Sequence, residues 1–130
     1  MNRTILLTGT LMGMLAIILG AFGAHGLEKL VDAEAVKTFE TGVTYQMYHA
    51  LFLLFLGIIS GMAVKIKKRV FLLVVSGVIL FSFSIYLLAL NSLTTFDFKI
   101  IGFLTPIGGV LMIIGWIYLG YNILTKKESN

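Results

Sequence analysis

Residues 70–96 read VFLLVVSGVILFSFSIYLLALNSLTTF, twenty-seven in a row without a charge. A helix rises about 1.5 Å per residue, so roughly 20 apolar residues already cross the hydrocarbon core of a bilayer. Working outward, residues 4–27, 41–64 and 100–125 are uncharged too, at 24, 24 and 26 residues. Between them lie only 13 residues (28–40), 5 (65–69) and 3 (97–99). The 130-residue chain is 58% hydrophobic and 12% charged, whereas soluble domains carry roughly a quarter charged residues. A soluble fold of this size needs more polar surface to cover itself. The expected class is all-α: a polytopic membrane protein, an antiparallel bundle of four transmembrane helices in one domain. The spans fall near 4–27, 41–64, 70–90 and 100–125, the third trimmed because Asn91-Ser92 and Thr94-Thr95 read as an interfacial helix end. No internal repeat links the two hairpins.

Charge placement gives the expected orientation. Lys65, Lys67, Lys68 and Arg69 share a side with Arg3, Lys126 and Lys127, against Lys29, Lys37 and Lys99 opposite. The positive-inside rule then puts both termini and the second loop in the cytoplasm. The same basic run can attract anionic headgroups. A cleaved signal peptide competes for the first stretch, with Arg3 before the apolar run and small residues at 21–24. That run exceeds the usual 7–15 residues, and its removal would leave three spans, so a retained span is preferred. The absence of cysteine excludes disulfides, thiolate metal sites and cysteine nucleophiles.

In the first loop, Asp32 before Ala33-Glu34-Ala35 suits a helix N-cap with acid in the first turn. Val36, Phe39, Val43 and Met47 follow at helical spacing. Either the second helix starts outside the membrane and runs in, or a separate amphipathic helix lies on the surface. Both readings stay open at this level.

Small residues mark the packing faces. Gly9, Gly13, Ala16, Gly20 and Gly23 fall on one side of the first helix, and Gly57 and Gly61 repeat the device on the second. Gly102, Thr105, Gly108, Gly109, Trp116 and Gly120 share a side of the fourth. Such stripes let backbones approach closely in lipid, within one chain or between copies or partner membrane proteins. Pro106 marks a helix start or kink, with a ligand-lining break as the lesser reading.

Polar residues in the spans are the candidate site. Thr38, Gly42, Tyr45, Gln46, His49 and Ser60 lie on one arc of the second helix. His49 is nine residues past Glu40, roughly 13 Å along the axis. Polar groups at that depth should face the bundle interior, with Tyr45 and Gln46 placed to hydrogen-bond the imidazole. Gly77, Ser84 and Asn91 share a face of the third helix that would oppose it. His25, with Glu28 three residues on, sits at the outer end of the first helix. The histidines are neutral, packed groups or ligands for a small molecule, proton, metal or haem; two alone, without an HExxH spacing, are a weak metal signal.

At these residues the chain resembles the YgdD-like family of small inner-membrane proteins, a domain of unknown function. The motifs are Gly20-Ala21-Phe22-Gly23-Ala24-His25-Gly26-Leu27 and Tyr45-Gln46-Met47-Tyr48-His49-Ala50-Leu51. Phe83-Ser84-Ile85-Tyr86, Thr105-Pro106-Ile107-Gly108-Gly109 and Gly115-Trp116 extend the match over nearly the whole chain. Where the family has a glycine-serine step before the third-helix tyrosine, Phe83-Ser84 stands here. The resemblance implies four spans in a bacterial plasma membrane and brings no activity, cofactor or catalytic residue.

The expected protein is therefore a non-enzymatic membrane protein with a polar pocket near its outer end. That pocket would be lined by His25, Glu28, Tyr45, Gln46, His49, Ser84, Asn91 and Thr105. It would bind a lipid, a quinone-like molecule or a partner helix. A small transporter or channel, and a haem or metal protein using His25 and His49, are the alternatives. No catalytic residue, resident cofactor or nucleic-acid partner is expected.

Overall fold

A computed structural model describes residues 2–126; Lys127, one of the basic residues counted above, lies outside them. All the described elements are helical. The first is α1 (Asn2–His25), followed by a short 3-10 turn at Leu27–Lys29 and then α2 (Ala33–Ile58). The third rod is α3 (Val64–Val78), a π segment at Ile79–Phe83 and α4 (Ser84–Ala89). After 3-10 turns at Asn91–Leu93 and Phe98–Ile101, α5 (Leu104–Thr125) completes the chain. These form four helical rods, each long and apolar enough to cross a membrane.

Asp32 caps α2 as its sequence suggests, its Oδ1 accepting from Ala35 N at 2.8 Å. The helix then continues unbroken to Ile58, which settles the open question of residues 32–40 in favour of an extension. The second helix ends earlier than the uncharged stretch does. Its turn is made by residues 59–63, with Gly61 at φ +74°, a left-handed conformation that costs glycine nothing. The basic run at 65–69 therefore belongs to the opening turns of α3 rather than to a loop. Pro106 sits in the first turn of α5, where a missing N–H costs no helical bond.

The rods are antiparallel, and their neighbours follow from the glycines. α1 lies on α2, α2 meets the third rod, and α5 lies on α3 and the π segment. A Cβ at Gly9 would come within 2.9 Å of Ala50 O and 3.1 Å of Leu53 Cβ; at Gly23 it would sit 3.0 Å from Phe39. Gly13 and Gly20 face Ala50 and Val43 in ordinary contact, so the α1 stripe is used up inside the chain. The opposite side of α1 exposes Leu7, Leu11, Leu15 and Ile18, as a lipid-facing surface should. At the other flank, Gly77 and Gly108 let α3 and α5 cross closely, with a Cβ at Gly108 only 2.6 Å from Gly77 O.

The buried face of α5 is rotated from the one read in the sequence. Gly108, Met112, Gly115 and Leu119 turn inward, while Trp116 and Gly120 stay exposed. One cluster around Ile5, Leu53, Leu56, Val70, Val74 and Leu119 fills the half of the molecule nearest the 59–63 turn. A smaller one, Leu27, Phe39 and Ala89, closes the other end.

Candidate functional site

The polar arc of α2 holds at Gly42, Gln46 and His49, with partners from all the other rods. Ser60, expected on the same arc, instead falls in the exposed turn after α2, because the helix ends at Ile58. Gln46 Nε2 donates to Met12 O of α1 at 2.9 Å, and Tyr86 Oη of α4 donates to Gln46 Oε1 at 2.6 Å. Ser82 of the π segment donates to Gly42 O at 2.8 Å. His49 Nδ1 lies 2.7 Å from Tyr45 O, and Trp116 Nε1 of α5 donates to His49 Nε2 at 3.1 Å. A nitrogen that accepts from an indole N–H carries no proton, so the ring is neutral with its hydrogen on Nδ1, donated to the Tyr45 carbonyl. Among the described residues, no buried side-chain nitrogen or oxygen lacks a partner. In an apolar medium this satisfaction is required, since every unpaired group there is costly.

Several expectations are corrected here. The pocket near the outer end does not assemble. Gly13 packs beside Ala50, which puts His49 halfway along α1 rather than at its outer end. His25 is twelve residues farther along that helix, about 18 Å away, and it is exposed, as is Glu28. The two histidines therefore form no common site. Asn91 belongs to the loop after α4, where its Oδ1 accepts from Phe98 N at 2.7 Å. Ser84 and Thr105 do pair, at 2.6 Å, but they tie α4 to α5 and do not face His49. Tyr45 contributes its carbonyl rather than its phenol, and its exposed ring packs edge-on against Tyr48 and Phe81. Gln46 turns away from the imidazole to Met12 and Tyr86.

The sequence reading missed Ser82, Tyr86 and Trp116 as partners of the polar arc. Tyr86 was visible only as a motif residue, and Trp116 as a motif residue and a member of the small-residue face of the fourth helix. Ser82 had no signal of its own, because it is the π segment that turns it toward α2. The mid-depth tyrosine and lone tryptophan, Tyr86 and Trp116, were the available clue.

What remains open is a groove between α2 and α5, on the side facing away from α1. One part, about 320 Å³, is lined by Tyr45, His49, Phe81, Gly109, Met112, Ile113 and Trp116. The adjoining part, about 450 Å³, has Tyr48, Leu51, Phe52 and Phe55 on one wall and Trp116, Leu119, Gly120 and Ile123 on the other. Phe52 and Trp116 meet edge-on with centroids 4.4 Å apart and form its floor. A side chain at Gly120 would meet nothing within 4 Å. A separate polar hollow at the far end involves Asp32, Glu34, Thr38, Asn91 and Lys99. Among the described residues, no group of three or more His, Asp or Glu side chains is placed to hold a metal ion.

Residues 19–109 match the family model described as protein of unknown function DUF423. The chain is 45% identical over 117 residues to a UPF0382 membrane protein of Staphylococcus saprophyticus, which covers 90% of this chain and 93% of that relative. UPF0382 membrane proteins of Staphylococcus aureus and Staphylococcus epidermidis are each 43% identical over 117 residues, covering 90% of this chain and 92% of theirs. No solved structure matches. The chain belongs to the DUF423 family: an integral membrane protein of unknown function.

Proposed function

We propose that this DUF423 member is a non-catalytic protein of the bacterial plasma membrane whose groove between α2 and α5 holds an apolar chain, that of a lipid or a quinone-like molecule. All four rods cross the bilayer as one domain, with both termini in the cytoplasm. The carrying observation is the groove itself: it opens sideways, at span depth, between walls of aromatic and aliphatic side chains. An acyl or isoprenoid chain suits such walls, and flat rings present large contact area at low entropic cost. The polar arc beside it is consumed by helix-to-helix bonds, which supports a scaffold rather than a reaction centre.

The test is native mass spectrometry on gently purified protein. The wild type should retain a bound lipid or quinone, and Gly120→Phe, whose Cβ has free space within 4 Å and whose ring enters the groove, should lose it. A bare wild type, or equal retention by both proteins, overturns the reading.

A further inference from the structure

A second, separate hollow lies one helical turn past the apolar walls of the groove. Asn122, Thr125 and Lys126, in the last turn of α5 and just past it, line a hollow of about 270 Å³ against Gly61 and Met62 of the turn after α2. Asn122 and Lys126 follow Leu119 and Ile123 at three-residue spacing, so they stack directly on the groove wall. Lys126 Nζ reaches Ser60 O at 3.2 Å, which holds a cation across the foot of the groove.

Charge is strongly one-sided. Among the described residues, this end of the molecule carries Arg3, Lys65, Lys67, Lys68, Arg69 and Lys126, while Glu28, Asp32, Glu34, Glu40 and Asp97 lie in the opposite half with Lys29, Lys37 and Lys99. Lys67 is spent internally, 3% exposed and bonded to Asn2 Oδ1 at 3.0 Å and Ile59 O at 2.5 Å. Lys65 and Lys68 remain exposed on the opening turns of α3. Length adds a second argument. Ten residues separate Trp116 from Lys126, about 15 Å of helix, and that is half of a roughly 30 Å hydrocarbon core. The stretch from Trp116 to Lys126 thus matches one leaflet in length, and it ends at a basic rim.

We infer that its occupant is an anionic phospholipid of the surrounding bilayer, with an acyl chain along the Trp116–Phe55 wall and its phosphate at Lys126. This rests on the reading of the groove as an apolar-chain site. Thr125 spends its hydroxyl hydrogen on the Tyr121 carbonyl and Asn122 one of its two amide hydrogens on the Tyr118 carbonyl, so the Lys126 charge supplies the selectivity rather than a hydrogen-bonded cage.

Trp116 is the sole tryptophan and lines the groove, which makes its fluorescence the direct readout. The protein is placed in phosphatidylcholine vesicles containing either brominated phosphatidylglycerol or brominated phosphatidylcholine with the same chains. The brominated anionic lipid should reach half-maximal quenching at an about fivefold lower mole fraction, the effect of one cation near the membrane surface. Lys126→Gln should reduce that preference to near unity, and Lys126→Arg should keep it. Equal quenching by the two lipids, or a preference that survives Lys126→Gln, overturns the inference. Gly120→Phe separates the two levels. If it weakens quenching by both lipids while the wild type shows no preference, the groove reading stands and the headgroup assignment falls. If it changes nothing, the groove reading falls. A wild-type Trp116 shielded from both lipids indicates a protein helix in the groove and overturns both.

Discussion

α2 meets a glycine-bearing helix on either side, yet only one junction is closed. Against α1, Gly9 and Gly23 bring backbone and aromatic ring to the limit of contact. Against α5, Gly109 and Gly120 face outward, with the nearest neighbour of Gly109 at 3.8 Å and none for Gly120. The difference lies in what α2 presents. Toward α1 it offers Ala50 and Val43, small enough for close approach; toward α5 it offers Phe52, Phe55, Tyr48 and the His49–Trp116 hydrogen bond. α5 is seated instead on α3 and the π segment through Gly77, Gly108 and Gly115, so toward α2 these large groups line an open groove rather than a packed seam. Glycine permits close approach, but the opposing residue decides whether it happens.

The largest expected effect is at the crossing of α3 and α5. Gly108→Leu puts a side chain into the backbone of Gly77 and Leu80 and should destabilise by about 3 kcal/mol or more, read as loss of a folding transition in bicelles. Next comes the polar arc. Gln46→Leu leaves the Tyr86 hydroxyl without its acceptor and removes the tie to Met12 O, and should cost about 1–2 kcal/mol in the same unfolding assay. His49→Leu should cost about 1 kcal/mol, with His49→Gln milder, because glutamine still offers Trp116 an acceptor. A leucine variant as stable as the wild type would remove the polar tie from the α2/α5 junction. Smaller again, Asp32→Ala removes the α2 cap and should cost about 1 kcal/mol, seen as faster amide exchange at Ala35.

Much of this was legible in advance. Four uncharged stretches gave four rods, the α1 glycines marked a face for close packing, and Asp32 gave the start of α2. The end of α2 was harder, because the hydropathy of residues 59–64 continues while the backbone turns at Gly61. The site was half legible. A period of 3.6 found Gln46 and His49, but periodicity says nothing of which rod lies opposite. It therefore grouped His25 and Asn91 with a histidine that sits midway along the bundle. Ser82 depends on the π segment, which breaks the very period that such reading assumes.

Three single-cysteine variants leave stability alone and report topology. Cysteine labelling at Lys65 or Lys68 suits this better than at buried Lys67. An impermeant reagent should reach position 34 from the periplasm and neither 65 nor 68. Labelling of 65 or 68 from that side would invert the assigned orientation and move the basic foot of the groove to the other leaflet.

The contrast between the two α2 junctions is tested most directly by a matched substitution, Gly9→Leu against Gly120→Leu, each followed by reversible unfolding in bicelles. At Gly9 the added side chain meets Ala50 O and Leu53 Cβ, and the loss should be about 2–3 kcal/mol. At Gly120 it enters the groove, and stability should stay within about 0.5 kcal/mol of wild type. Equal losses at the two positions, or a larger one at Gly120, would mean that the α2/α5 junction is as closed as the first and would contradict the account.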